Sequence, residues 1–96
     1  MAMKETTKRL IGVFQSVLEE MKPEFTSHSF IQRLAQKHQG LYICALYPYR
    51  ESVAPFRALH VEIAHQLKHF NLQEMGEVDS KDIFGDSSFC MKWRKL

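Results

Sequence analysis

Little in this chain invites covalent or metal-dependent chemistry. Only two of its 96 residues are cysteine, Cys44 and Cys90. They are far apart, form no CxxC pair and follow no secretory leader, so they read as reduced, structural thiols. The four glycines, Gly12, Gly40, Gly76 and Gly85, stand singly, and a phosphate-cradling loop needs them clustered. No apolar run approaches the roughly 18 residues that cross a bilayer. Met1 to Arg9 carries positive charge without the long apolar stretch of a signal peptide. The expectation is a cytoplasmic protein that makes no use of a membrane. A chain of 96 residues leaves room for one domain, 1–96, and little more.

What is present suits a packed core. Apolar residues make up 45% and charged residues 25%, the balance of an ordinary globular domain. Leu10, Ile11, Val13, Phe14, Val17, Leu18 and Met21 recur at steps of three and four and predict one amphipathic helix. Thr6 or Thr7 is placed to cap it, Lys22 falls in its last turn, and Pro23 ends it. Glu24-Phe25-Thr26 is short enough to make only a small bridge to a later strand. Thr26 or Ser27 then caps a second helix, with Phe25 and Phe30 stapling its entry and Gly40 as its stop. Leu41 to Tyr47 is apolar throughout, so periodicity alone leaves both a short helix and a strand open. A short helix closed by Pro48 is the favoured reading. Tyr49 to Ala54 reads as a loop, with Ser52 as a cap and Pro55 in the first turn of the next helix. Phe56, Leu59, Ile63, Leu67 and Phe70 form that helix's stripe. Two strand-like runs follow, Leu72–Val78 and Phe89–Leu96, around a polar loop. In the last run Phe89, Met91 and Trp93 alternate with Cys90, Lys92 and Arg94, which predicts one buried and one wet, basic face. The fold class is α+β.

Chemistry-bearing clusters are sparse. His65 and His69 stand four apart on a predicted helix, but no acid or cysteine nearby completes a zinc ligand set, so no metal is expected. Cys44 lies in an apolar run where burial would quench its thiol. The serines sit in no catalytic motif, and no catalytic residue, cofactor or small-molecule substrate is expected. Tyr42, Tyr47 and Tyr49 near Arg50 form either an aromatic platform or a core edge with wet hydroxyls. Ile83 and Phe84, inside the polar loop, either fold back on the protein or serve as a partner contact.

The order of these elements carries a resemblance. Leu10 to Met21, Phe25-Thr26, Ser27 to Gln39, Pro55 to Phe70 and the closing hairpin together resemble the winged helix-turn-helix superfamily over nearly the whole chain. That resemblance implies three main helices, here with a short extra one, and a C-terminal β-hairpin wing. It also implies a protein that binds double-stranded DNA, such as a transcriptional regulator, with helix 55–70 in the major groove. Ser52, Arg57, Val61 and His65 would then face the bases, and Lys8, Arg9, Arg50, Lys92 or Arg94 would meet phosphates.

Two features point elsewhere. Leu41 to Ala54 stands where a compact helix-turn-helix has a turn of three or four residues. The segment from Gln73 to Asp86 holds five acids, Glu74, Glu77, Asp79, Asp82 and Asp86, against Lys81 alone, in a chain of net charge +2. Such a wing repels phosphate. The alternative function is therefore a protein-interaction or assembly module, a homodimer included, with an acidic wing and contacts through Ile83 and Phe84. The two readings differ over whether the acidic segment flanks helix 55–70.

Overall fold

The computed structural model describes residues 4–96. The chain is α+β: helices α1 (Glu5–Ile11) and α2 (Phe14–Leu18), strand β1 (Glu24–Thr26), helices α3 (Ser27–Lys37), α4 (Gln39–Leu46) and α5 (Pro55–Gln66), then strands β2 (Leu72–Lys81) and β3 (Ser87–Lys95). Single turns of 3-10 helix, Tyr47–Tyr49 and Leu67–His69, follow α4 and α5. The three strands form one antiparallel sheet in the order β1-β3-β2. Among the described residues no helix is long and apolar enough to cross a membrane.

The helix predicted over Leu10–Met21 is two helices. Val13 leaves helical geometry (φ −106°, ψ 3°), and its N–H reaches Leu10 O in a tighter three-residue turn. Gly12 is a poor helix former, and the Val13 carbonyl at the start of α2 accepts both the Ser16 hydroxyl at 2.8 Å and the Val17 N–H at 3.4 Å. The second piece stops at Leu18, so Lys22 lies beyond it. Neither Thr6 nor Thr7 caps α1: Lys4 occupies that position without a side-chain bond, and Thr7 is buried.

The entry to α3 is as expected. Thr26 Oγ1 accepts from the N–H of Ser29, and Ser29 Oγ accepts from the N–H of Thr26, a reciprocal capping box. Thr26→Ala should cost about 1 kcal/mol, read as a lower urea midpoint at unchanged slope. Gly40 does not stop this helix. His38 does, with φ −126° and ψ 58°, and Gly40 belongs to the first turn of α4. Leu41 to Leu46 is helical, the favoured of the two readings. Before α5, Ser52 does not cap. Ala54 holds the cap position, and Ser52 Oγ accepts from Ala54 N–H within the turn. Pro55 opens the helix as predicted.

The core lies between the helices and one face of the sheet. Leu10, Phe14, Phe30, Leu34, Leu59, Ile63, Leu67 and Trp93 are all buried. Phe25 pairs across the sheet with Trp93, whose indole N–H donates to the buried Ser27 hydroxyl at 2.9 Å. Glu24 holds the same strand pair from outside, through Lys92 at 3.1 Å and Arg94 at 2.8 Å. Glu20, in the turn after α2, joins that segment to α3 through Arg33 and Lys37. Those two hydrogen-bonded cations hold its carboxyl down to about 2.

The hairpin strands are longer than predicted, leaving a loop of Asp82–Asp86. Between Glu74 and Glu77 the register slips, an extra residue on β2 accommodated by Gly76 at φ +98°, the geometry of a bulge. At the tip, Asp82 carboxylate accepts the N–H groups of Phe84 (2.9 Å) and Asp86 (3.0 Å), and Gly85 takes φ +87°. Phe89 is 73% exposed, against expectation. It shares the inward face of β3 with Met91 and Trp93, but the hairpin carries it past the helices that cover Trp93. Cys44 is also exposed, because α4 is a single surface helix whose buried positions are Tyr42 and Ala45.

Candidate functional site

The outward face of α5 does not stand free. The hairpin tip curls back toward it, so that Phe84 packs edge-on against Phe56 with ring centroids 4.8 Å apart. Between α5, the start of α3 and β3 this leaves an open groove of about 700 Å³. Buried Ile31 and Trp93 line its inner side. Val61 and Ala64 contribute from α5, Met91 and Phe89 from β3, and Phe84 from the tip. Arg57 and His65 of α5 and Lys68 of the 3-10 turn after it add polar ends, and Asp82 adds the one carboxylate of the lining.

Three of the predicted base-facing residues, Arg57, Val61 and His65, therefore meet in one groove. The fourth, Ser52, lies outside it in the exposed turn before α5. None of the predicted phosphate contacts lines the groove. Lys92 and Arg94 are paired with Glu24. Arg50 lies over the Tyr47 ring at 4.1 Å and donates to Tyr47 O. Arg9 stands 3.8 Å from Glu5 on α1, and Lys8 is exposed on the same helix. Of the two loop residues, Ile83 folds back against the core, while Phe84 remains 59% exposed even with Phe56 beneath it. The three tyrosines do not form a platform. Tyr42 is buried, and Tyr49 packs against the core under Lys4 Nζ.

Sequence reasoning overlooked Ala64, Lys68 and His28, and placed Phe89 and Met91 in the core rather than at a site. Lys68 was legible as the next polar position on the face of Arg57, Val61 and His65. Nothing in the sequence brings His28 to the hairpin.

A polar cluster sits at the tip end of the groove. Tyr42 Oη lies 2.6 Å from His60 Nε2. Burial pushes the tyrosine up to about 12, so its hydroxyl stays protonated and hydrogen-bonds the imidazole as a neutral group. Burial lowers His60 below the usual histidine range, opposed by the Asp82 charge and assisted by His28. Asp82 is held below the usual carboxylate range first by the Phe84 N–H, then by the Asp86 N–H, against partial desolvation. Ser88 Oγ lies 3.3 Å from His28 Nε2, but His28 Nδ1 is buried without a hydrogen-bond partner among the described residues. A nucleophile–base pair needs its base oriented by a third group, and this pair has none. His69 falls in the 3-10 turn after α5, off the helical step from His65. Among the described residues no three metal-ligating side chains cluster.

The His60 environment has a pH consequence. As pH falls below about 6.5 the unfolded chain takes up this proton before the folded one does. The stabilisation is complete above that value and is lost as pH falls through the lower folded pKa. His60→Gln should flatten this part of the stability curve, measured as urea midpoints between about pH 7.5 and pH 5.

Comparison of the chain with protein-family models, with curated proteins and with solved structures finds no match.

Proposed function

We propose that the chain is a winged-helix protein-interaction module whose groove between α5 and the hairpin receives a segment of a protein partner. The winged-helix part rests on topology. A short strand follows the first helices, three further helices precede a hairpin, and the strand order is β1-β3-β2. In this reading α5 is the helix that would enter DNA in a DNA-binding relative of the fold, and α4 fills the connection before it.

The observation that carries the functional part is the apolar lining of the groove: Phe89 is 73%, Phe84 59% and Val61 46% exposed, and all three line it. Large apolar groups grouped around one concave surface mark an interaction site. The alternative use, duplex DNA, has less support. Phosphate binding requires a positive surface along the contact. Here Asp82 shares the groove with Arg57, while Lys92 and Arg94 are paired elsewhere.

A labelled random duplex titrated at about 50 and 200 mM salt separates the two. The module reading expects no saturable binding at either salt and no effect of Arg57→Glu. Binding that weakens steeply with salt and disappears in Arg57→Glu would restore the DNA reading. In parallel, Phe89→Glu, at an exposed position cross-strand from Asp79, should abolish partner binding while lowering stability by no more than about 1 kcal/mol, the cost of opposed like charges.

A further inference from the structure

Resting on that reading of the groove, we propose that its occupant is an extended segment of the partner that adds as a strand to the open edge of β3. The first observation is the edge itself. β1 pairs with β3 only at Lys92–Arg94, and at Ser27 the chain turns into α3. Among the described residues no strand lies beside Ser87–Met91 on that side, a stretch of about 16 Å at the strand rise. The ladder fixes where its free groups point. Lys95 N–H donates to Pro23 O beside β1, and Leu96 N–H donates to Asn71 O beside β2. Main-chain groups alternate sides along an antiparallel strand. Those of Phe89 and Met91 therefore turn to the β1 side with Lys95, and those of Ser88 and Cys90 turn to β2. The N–H of Met91 and both main-chain groups of Phe89 open toward the groove, where no strand meets them. A helix lying there would bury them unpaired, whereas an added strand pairs them.

The second observation is that this edge is undefended. Ser87-Ser88-Phe89-Cys90-Met91 holds no charge and no proline, and its register with β2 is unbroken. The outer edge strand β2, by contrast, carries Glu74, Glu77 and Asp79 and the bulge at Gly76. Charges and bulges keep sheet edges from pairing, so only the edge inside the groove is left fit to pair. His28 reaches this edge, but through the Ser88 hydroxyl, which leaves the main chain of Phe89 and Met91 unused. The third observation is the side-chain pattern. Phe89 and Met91 line the groove with Ile31, Val61, Ala64 and Trp93. Partner residues opposite Phe89 and Met91 share that face, and the residue between them points away. The segment is thus apolar at two positions two apart. Its net charge is not selected, because Arg57 and Lys68 border the groove on one side while Glu77 and Asp79 stand opposite Met91 and Phe89 on the other.

The test is selection of binders from a displayed library of random peptides about eight residues long, enough to span this edge. Synthetic copies of the enriched peptides are then added to the whole protein, and chemical shifts and amide hydrogen exchange are followed. The expected result is shifts at Val61 and Ala64 with slowed exchange at Phe89 and Met91. Ser88 and Cys90, whose amides already belong to the β2 ladder, should change little. N-methylation of the peptide where its N–H meets β3 should weaken binding roughly tenfold, and methylation at the next residue, whose N–H points away, should weaken it much less. Groove-binding peptides that become helical, or that leave the Phe89 and Met91 amides exchanging as in the free protein, would overturn the strand proposal and leave the interaction site standing. Protection of those two amides in the protein alone, growing with its concentration, would make the occupant a second copy and overturn the proposal as well. If no enriched peptide maps to the groove, the proposed function fails with it.

Discussion

Trp93→Ala should destabilise the protein by about 3–5 kcal/mol. Trp93 is the largest fully buried side chain, at 1% exposure, and it joins three parts of the chain. It lies in β3, pairs with Phe25 of β1, and hydrogen-bonds Ser27 at the start of α3. Truncation removes apolar burial, leaves a cavity, and strands the Ser27 hydroxyl, which is 2% exposed. Trp93→Phe isolates the last effect. Most of the packing is kept, and the unpaired hydroxyl accounts for about 1–3 kcal/mol of the loss. Urea unfolding followed by far-UV circular dichroism measures both variants, since the fluorescent reporter is itself removed. A loss under about 1 kcal/mol for Trp93→Ala would mean that β3 does not pack as described.

Phe14→Ala should cost about the same, 3–5 kcal/mol, for a different reason. Its ring packs edge-on against Phe30 at 5.0 Å and tilted against Phe70 at 5.5 Å. It therefore ties α2 both to α3 and to the segment that leads from α5 into β2. Domains of this size hold a net stability of about 5–15 kcal/mol, so either substitution removes a large share. The expected observation is a lower thermal midpoint with the transition still cooperative. A near-neutral Phe14→Ala would mean that α2 is loosely attached and that the break at Gly12-Val13 is a hinge rather than a packed corner.

The legible parts of this fold are those written in local pattern. The stripe Leu59, Ile63, Leu67 gives α5, Thr26 and Ser29 give the start of α3, and the alternation through Trp93 gives β3. The misread parts turn on competition or distance. Continuous apolar periodicity hid the break after Ile11, where Gly12 is a weak helix former and the Val13 N–H turns to Leu10 O. His38, not Gly40, ends α3, since α4 resumes at once. Phe89 keeps the phase expected of an inward residue, yet how far the helices extend over the sheet is a tertiary quantity that alternation does not encode.

The candidate site divides the same way. Arg57, Val61 and His65 share one helix face by spacing alone, and they do line one groove. The opposite wall could not be foreseen. It depends on the bulge at Met75-Gly76 and on the Asp82 turn, which together carry the hairpin tip back to Phe56. Asp82, one of the five acids read from composition as a wing, thus shares the groove with α5, where it weakens contacts to phosphate.

The central claim is that the groove between α5 and the hairpin receives a protein. The most direct measurement places a photo-crosslinking amino acid at Ala64, inside the groove, and at Gln15, on the exposed surface of α2, in cells producing the otherwise unchanged chain. A discrete protein adduct from position 64, absent from position 15 and abolished by Phe89→Glu, is the predicted result. Nucleic-acid adducts at position 64, or protein adducts that survive Phe89→Glu, would contradict it.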